Sequence, residues 1–363
     1  MKNTFGSSVA VTLFGESHGE AIGAVLDGMA PGIPVDCDLI RRQMQLRMGI
    51  ASLSTARREP DEVEIVSGVK DGVTTGTPIT LMIRNTNTRS GDYAKTATLL
   101  RPGHADFTAE CKYHGFADAR GGGHFSGRIT AGLVAAGAIA IGALRHLGIQ
   151  IGTHIAACGG IRDRAFSDLS QDIPYLNNTD LAVLDLKKAR SIYDVILSAR
   201  KDGDSVGGIL ETAVTGLPAG VGEPWFDTVE GVLSHALFSI PAVKGVEFGA
   251  GFALAAMRGS KANDPFRIED GRIVTATNRA GGILGGITSG MPLLIRTAIK
   301  PTPSIYHKQN TVNTDTMEEA TLEIKGRHDP AIVHRARVVA DSVVALALCD
   351  LLALRFGTDY LRG

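Results

Sequence analysis

The stretch Ile129-Thr-Ala-Gly-Leu-Val-Ala-Ala-Gly-Ala-Ile-Ala-Ile-Gly-Ala-Leu144 decides the fold class. It holds no charge over 16 residues, and its small and apolar side chains fall on every face of a helix. A helix apolar all round must be enclosed by other elements or by lipid. It is shorter than the roughly 18–20 residues that span a bilayer, and three glycines interrupt it, so a buried core helix over about 129–147 is expected. A second stretch, about Arg335–Leu354, is apolar on more than one face, so it too is expected to be enclosed between other layers. Working outward, short alternating or apolar runs read as strands: Val9–Phe14, Glu62–Val66, Ile79–Ile83, Ile149–Ile155, Ile209–Val214, Arg272–Thr277 and Leu293–Ala298. Regular βαβα alternation is absent, which disfavours Rossmann and TIM-barrel architectures. The expected class is α+β: a β-α-β layered sandwich, with the long apolar helices enclosed between antiparallel sheets. No Ser/Pro linker divides the chain, so residues 1–363 are read as a single domain, and Arg162–Asp204 as loops with one surface helix.

Composition narrows the function. The chain has 37 Lys and Arg against 38 Asp and Glu, so anion binding must come from local clusters rather than from overall charge. Aromatics are 5%, with one Trp, which argues against base-stacking platforms and nucleic acid. Cys37, Cys111, Cys158 and Cys349 form no CxxC pair; neither a metal site nor a disulfide framework is indicated, and a cytoplasmic, reducing location is expected. The N-terminal apolar run is too short for a signal peptide. No membrane partner is expected.

Both apolar helices follow clusters of glycine and charge: Arg120-Gly-Gly-Gly-His124-Phe-Ser126-Gly-Arg128 and Lys325-Gly-Arg327-His328-Asp329-Pro330. Free N–H groups and the positive dipole end of a helix, with arginines beside them, make an anion site. Gly15-Glu16-Ser17-His18-Gly19 matches the G-x-S-x-G nucleophile elbow, but only 16 residues precede Ser17, too few for the strand and loop that supply that fold's oxyanion hole. It reads instead as a tight turn presenting Ser17 and His18. Arg101-Pro-Gly-His104-Ala-Asp106 places a carboxylate where it can orient an imidazole, or forms a turn with a surface histidine. Arg57-Arg-Glu-Pro-Asp61 reads as a solvated charge run. Arg41, Arg42 and Arg47 lie on an expected helix, where Arg47 either reaches an anion or sits on a solvated face. Lys300-Pro-Thr-Pro-Ser304 presents a cation and hydroxyls on a stiff loop. Ten glycines between Gly245 and Gly290 allow close backbone approach to a flat ligand.

Taken in order, Gly15–Gly19, Arg57–Asp61, Gly72-Val-Thr-Thr-Gly-Thr77, Arg101–Asp106, Arg120–Gly123, Ala242-Val-Lys-Gly-Val-Glu247, Ala280-Gly-Gly-Ile-Leu-Gly-Gly-Ile287, Lys300–Thr302 and Gly326-Arg-His-Asp-Pro330 resemble the chorismate synthase family from about Thr12 to the end of the second apolar helix. The resemblance implies a shikimate-pathway lyase that converts 5-enolpyruvylshikimate-3-phosphate to chorismate and phosphate by anti-1,4-elimination. It implies reduced FMN as cofactor, with NADPH a candidate reductant, and a homotetramer. By position, His18 would give a proton to the leaving phosphate, His104 would protonate the anionic reduced flavin, and Asp329 would lie near flavin N5 and accept its proton late in the cycle. Ser126, Ala242, Gly285, Lys300, Pro301, Thr302, Pro303, Ser304 and Arg327 match positions lining FMN. Ser17, Arg47 and Arg128 match the substrate side, Arg47 at the substrate or pyridine-nucleotide end. The chain departs from the family's common Arg-Ser-Ser-Ala-Arg-Glu-Thr at His124-Phe-Ser-Gly-Arg-Ile-Thr130, lacks a second arginine near Ser52, and has Pro241 where asparagine is also common.

Overall fold

A computed structural model describes residues 2–54, 61–86, 98–324 and 328–363. Arg57–Pro60 and Arg327 lie outside the described residues. The fold is mixed helix and sheet. The first sheet comprises β1 (Thr4–Phe5), β2 (Ala10–Gly15), β3 (Ala21–Asp27), β4 (Glu64–Ile65) and β5 (Ile79–Arg84) in the order β1-β2-β3-β5-β4. All its pairs are antiparallel, with Leu13 opposite Ala24 and Ala24 opposite Leu81. Between β3 and β4 lies helix α1 (Cys37–Met48), capped by the Asp36 carboxylate on the N–H groups of Asp38 and Leu39. Helix α2 (Asp106–Tyr113) and the core helix α3 (Thr130–His146) follow.

The second sheet is built from β6 (Gln150–Cys158), β7 (Ile161–Arg162), β8 (Gly208–Thr215), β9 (Val243–Phe248) and β10 (Leu293–Ile299), in the order β9-β10-β8-β6-β7 and antiparallel throughout. In β10, residues 293, 295, 297 and 299 point inward and are buried, the period of two that marks a sheet with one face on the core. Strand β6 is buried on both faces, because helix α4 (Leu169–Asn178) covers its outer side. Between β7 and β8, the structure shows two helices, α4 and α5 (Leu186–Lys201), where loops and one surface helix were expected. Each starts on an aspartate cap, Asp168 and Asp185, and Pro174 within α4 masked the first in the sequence pattern. Helix α6 (Val229–Phe238) precedes β9.

The longest helix, α7 (Val333–Phe356), packs against α3. Helix α3 also packs on β3 and β5, and α7 on β6 and β8. Two glycines of α3 permit this closeness: a Cβ on Gly132 would lie 2.6 Å from the Gly23 backbone, and one on Gly137 would lie 2.2 Å from Ser342 Cβ. The helical segment 127–146 runs to 20 residues, so by length and composition it could cross a membrane, contrary to the shorter reading of the sequence. In the fold, 83% of its most apolar window is buried inside the protein. A charged group enters the core at Asp350 of α7, where it accepts hydrogen bonds from the N–H groups of Ser7, Ser8 and Val9 at 2.7–3.1 Å.

Candidate active site

The N-terminal ends of the two core helices open onto one cavity of about 370 Å³. From α3 and the turn before it come Gly127, Arg128 and Thr130; from α7 and the segment before it come Asp329, Ile332, Arg335 and Ala336. Both helices therefore turn their positive dipole ends toward one space. Met48, Phe125, Ile240, Pro241, Ile332 and Val339 supply apolar wall, while Arg47, Arg101, Arg128 and Arg335 supply cations against the carboxylates of Asp61 and Asp329.

Arg47 reaches this cavity by helical geometry. Ile40, Met44 and Arg47 share the inward face of α1, while Arg41 and Arg42 pair with Asp38 and Asp180 on the outside. Arg47 is thus 4% exposed, and the solvated-face alternative does not hold. Its Nη2 lies 2.5 Å from Asp61 Oδ2, while Arg128 binds Asp61 Oδ1. Asp61, read from sequence as part of a solvated run, is buried. Burial would raise its carboxyl pKa, but Arg47 and Arg128 together hold it below the usual range. Burial pulls the Arg47 guanidinium down to about 10. Arg335 fixes the far side: its Nη1 donates to Asp329 Oδ2 at 2.5 Å and its Nε to the Arg47 carbonyl at 2.9 Å.

Two glycine turns carry the histidine side of the site. Ser17 N donates to Gly123 O at 3.1 Å, and His124 Nδ1 donates to Gly15 O at 2.8 Å. His124, a departure from the family pattern, therefore braces one turn against the other. Gly121 lines the cavity at φ 62°, and a Cβ there would stand 2.7 Å from His18 Nε2, so the buried His18 ring lies directly behind that backbone. Asn85 joins the turns to the cations: its Nδ2 donates to Glu16 O and Gly19 O, and its Oδ1 accepts from Arg128 Nε.

His104 lines the cavity beside His328. Its Nδ1 is 3.4 Å from Asp106 Oδ1, but Asp106 is chiefly committed to Arg101, which grips both oxygens at 2.8 and 2.6 Å. Burial opposes ionisation of Asp106, yet the hydrogen bonds from Arg101 and His104 hold its carboxyl well below the usual range. Burial, with Arg101 nearby, lowers the pKa of the His328 imidazole.

Of the remaining positions singled out in sequence, Ser126, Thr302 and Ser304 line the cavity. Pro301 and Pro303 stiffen the chain around Thr302 without lining it, and Lys300 donates instead to Gly103 O at 2.5 Å. Ala242 follows the lining residue Pro241 and takes a strained φ of 74°. Gly285 sits with Gly286 in the two-residue turn of the hairpin Ile283–Thr288, both at positive φ, away from the cavity. The other glycines between 245 and 290 likewise contribute nothing to the lining. Gly245 lies in β9, and Gly281, Gly282 and Gly290 take positive φ. Arg120 is exposed and pairs with Asp118. Sequence reasoning missed Asp61, Asn85, Arg101, His328 and Arg335 as parts of the site. Asp61, Arg101 and His328 lay within motifs already quoted, whereas nothing local marked Asn85 or Arg335.

Fold and site together define a mixed α/β protein whose core helices aim at a cationic cavity suited to a small polyanion. Comparison with known proteins narrows this. A family model described as chorismate synthase matches residues 9–353. Chorismate synthase of Dehalococcoides mccartyi is 49% identical over 360 residues, 98% of either chain. That of Thermococcus kodakarensis is 46% identical over 352 residues, covering 96% of this chain and 97% of its own. A crystal structure of chorismate synthase superposes with a TM-score of 0.77 at 28% identity, over 97% of this chain and 94% of that one. The chain belongs to the chorismate synthase family, the lyases of the shikimate pathway.

Proposed function

We propose that the cavity converts 5-enolpyruvylshikimate-3-phosphate to chorismate and phosphate, with reduced FMN as cofactor. The observation that carries this reading is convergence: two helix N-termini, four arginines, His104 and Asp329 meet at one cavity, with His18 behind its wall. The residues present fit a flavin phosphate and ring. Thr302 Oγ1 and His328 Nε2, both in the lining, are buried without a hydrogen-bond partner among the described residues, a cost that polar ligand atoms would remove. Ser126, Thr302 and Ser304 are the cavity-lining groups that would hold FMN, beside apolar walls that suit its ring. When bound, the reduced flavin supplies electron density to the allylic system and takes up a hydrogen too weakly acidic for a carboxylate to remove.

The chain's own residues bind, orient and move protons. Arg47 and Arg128 receive the anionic groups of the substrate, and Ser17, on the turn that Asn85 ties to Arg128, is assigned to the same side. His18 gives a proton to the departing phosphate, which leaves more readily when its charge is neutralised. His104 holds a proton at the cofactor end. Asp329, fixed by Arg335, supplies a carboxylate at the reacting face. Met48, Phe125 and Ile332 exclude water, strengthening each of these interactions.

The same reading takes the chain as a single domain with two helices sandwiched between antiparallel sheets; a large core shared by both sheets and the packing of α3 and α7 support it. It also takes the working form as a homotetramer, supported by the exposed aromatic side chains Trp225, Phe226, Phe252 and Phe266. A cytoplasmic location accords with four unpaired cysteines. NADPH remains the candidate reductant. Anaerobic incubation of the purified chain with pre-reduced FMN and 5-enolpyruvylshikimate-3-phosphate tests the function. Phosphate and chorismate should appear together, and a chain that binds FMN yet releases no phosphate sinks the proposal.

A further inference from the structure

One carboxylate bridges two buried guanidiniums at the mouth of α3. Asp61 Oδ2 takes Arg47 Nη2 at 2.5 Å, and Oδ1 takes Arg128 Nη1. The two arginines come from different elements, α1 and the turn leading into α3, so Asp61 does locally what two oxygens of a phosphate monoester would do. The match is incomplete. Arg47 Nε is buried with no acceptor among the described residues, so Arg47 has donor capacity that the carboxylate leaves unused. A planar carboxylate offers two oxygens, whereas a phosphate offers three. The neighbours are held in place independently of Asp61: Arg128 through Asn85 at 3.1 Å, and the Arg47 backbone through Arg335 at 2.9 Å.

From this we infer that Asp61 is the resident anion of a phosphate seat: its carboxylate occupies Arg47 and Arg128 until a phosphate monoester displaces it, and it reclaims them as inorganic phosphate leaves. The inference rests on the proposed function, in which the cavity takes a phosphorylated ligand. Its consequence is kinetic. A seat of two bare, buried arginines would hold the product phosphate too tightly, and an internal competitor weakens that grip. Asp61 thereby sets the affinity of the site for phosphate as a positioning residue, without touching the reacting carbon.

Thermal unfolding with inorganic phosphate, against chloride at matched ionic strength, tests this for the full chain and for Asp61→Asn, Asp61→Ser and Asp61→Glu. A ligand that binds only the folded state raises the melting temperature in proportion to its affinity. The neutral variants should bind phosphate about tenfold or more tightly than the parent chain, the usual scale for a charge-assisted contact, and show the larger rise. Asp61→Glu, which keeps the charge, should follow the parent. Equal rises in all four chains would overturn the role of Asp61 while leaving the phosphate seat intact. Absence of any rise in every chain would instead overturn the phosphate reading of the cavity. Neutral variants that fold in neither anion would also overturn the inference, since Asp61 would then be a structural tie that no phosphate can replace. Repeating the titration with FMN bound assigns the seat: persistence of the phosphate effect gives it to the substrate, and its loss gives it to the cofactor, the resident-anion role standing in both cases.

Discussion

Two of the buried charge clusters among the described residues are built differently. At the cavity, Arg47, Asp61, Arg128, Arg335 and Asp329 surround open space, and the buried Arg47 Nε has no protein acceptor among the described residues. On the outer face of the second sheet, Asp163, His154, Glu211, Arg296 and Glu247 form a closed chain. His154 Nδ1 lies 2.8 Å from Asp163 and Nε2 3.1 Å from Glu211; Arg296 joins Glu211 to Glu247. Backbone N–H groups of Leu184 and Asp185 complete the Asp163 end, and that of Phe252 the Glu247 end. Buried charge alone therefore does not mark a site. The distinction is saturation: a cluster whose hydrogen bonds are all met within the chain holds a fold together, and one with capacity left over awaits a ligand.

The contrast should show in kinetics first. His18→Ala and Asp329→Ala should each slow turnover by about 10²–10⁴-fold, the range for a lost general acid or base, in an anaerobic assay with pre-reduced FMN. Rates near those of the parent chain would remove both from the chemistry. Arg128→Gln should act on binding, raising KM for the phosphorylated substrate by about 10–100-fold with a lesser change in kcat.

The closed cluster should answer in stability instead. His154→Gln leaves two carboxylates facing each other without their cation and should cost about 3–5 kcal/mol in urea unfolding, with kcat little changed. Burial pulls the His154 pKa down, but hydrogen bonds to Asp163 and Glu211 outweigh it and raise the native value above the unfolded one, near 6.5. The imidazolium contribution is therefore complete below about pH 6.5 and is lost as pH rises through the native pKa. The difference between parent and His154→Gln should shrink at alkaline pH, and a pH-independent difference would show that His154 is neutral in the fold. The smallest effect expected is at Phe166, edge-on to His154 with ring centroids 4.7 Å apart. Phe166→Leu should cost about 1 kcal/mol and leave substrate kinetics alone.

Much of this was legible in advance, for reasons particular residues show. Strand β10 announces itself because Leu293, Ile295, Thr297 and Ile299 alternate with outward residues. The two core helices do so because each carries apolar side chains on more than one face. Helix α4 hid behind Pro174, although Asp168 marked its start. Lys300 and Gly285 matched cofactor positions by motif; the structure adds that the Lys300 amine donates to Gly103 O and that Gly285 sits in a hairpin turn.

The sequence by itself determined the local matters: periodicity, caps, tight glycine turns and the ordered motifs by which the family resemblance was found. Hydrogen-bond and steric rules over a few residues are enough for those. Only the tertiary structure decided that Arg47, Asp61, Arg128 and Arg335 share one cavity, that Asn85 ties the Ser17–His18 turn to Arg128, and that Arg101 rather than His104 chiefly holds Asp106. These contacts join segments up to hundreds of positions apart. They exist because burying α3 and α7 against each other and against the sheets brings their N-terminal ends to the same place.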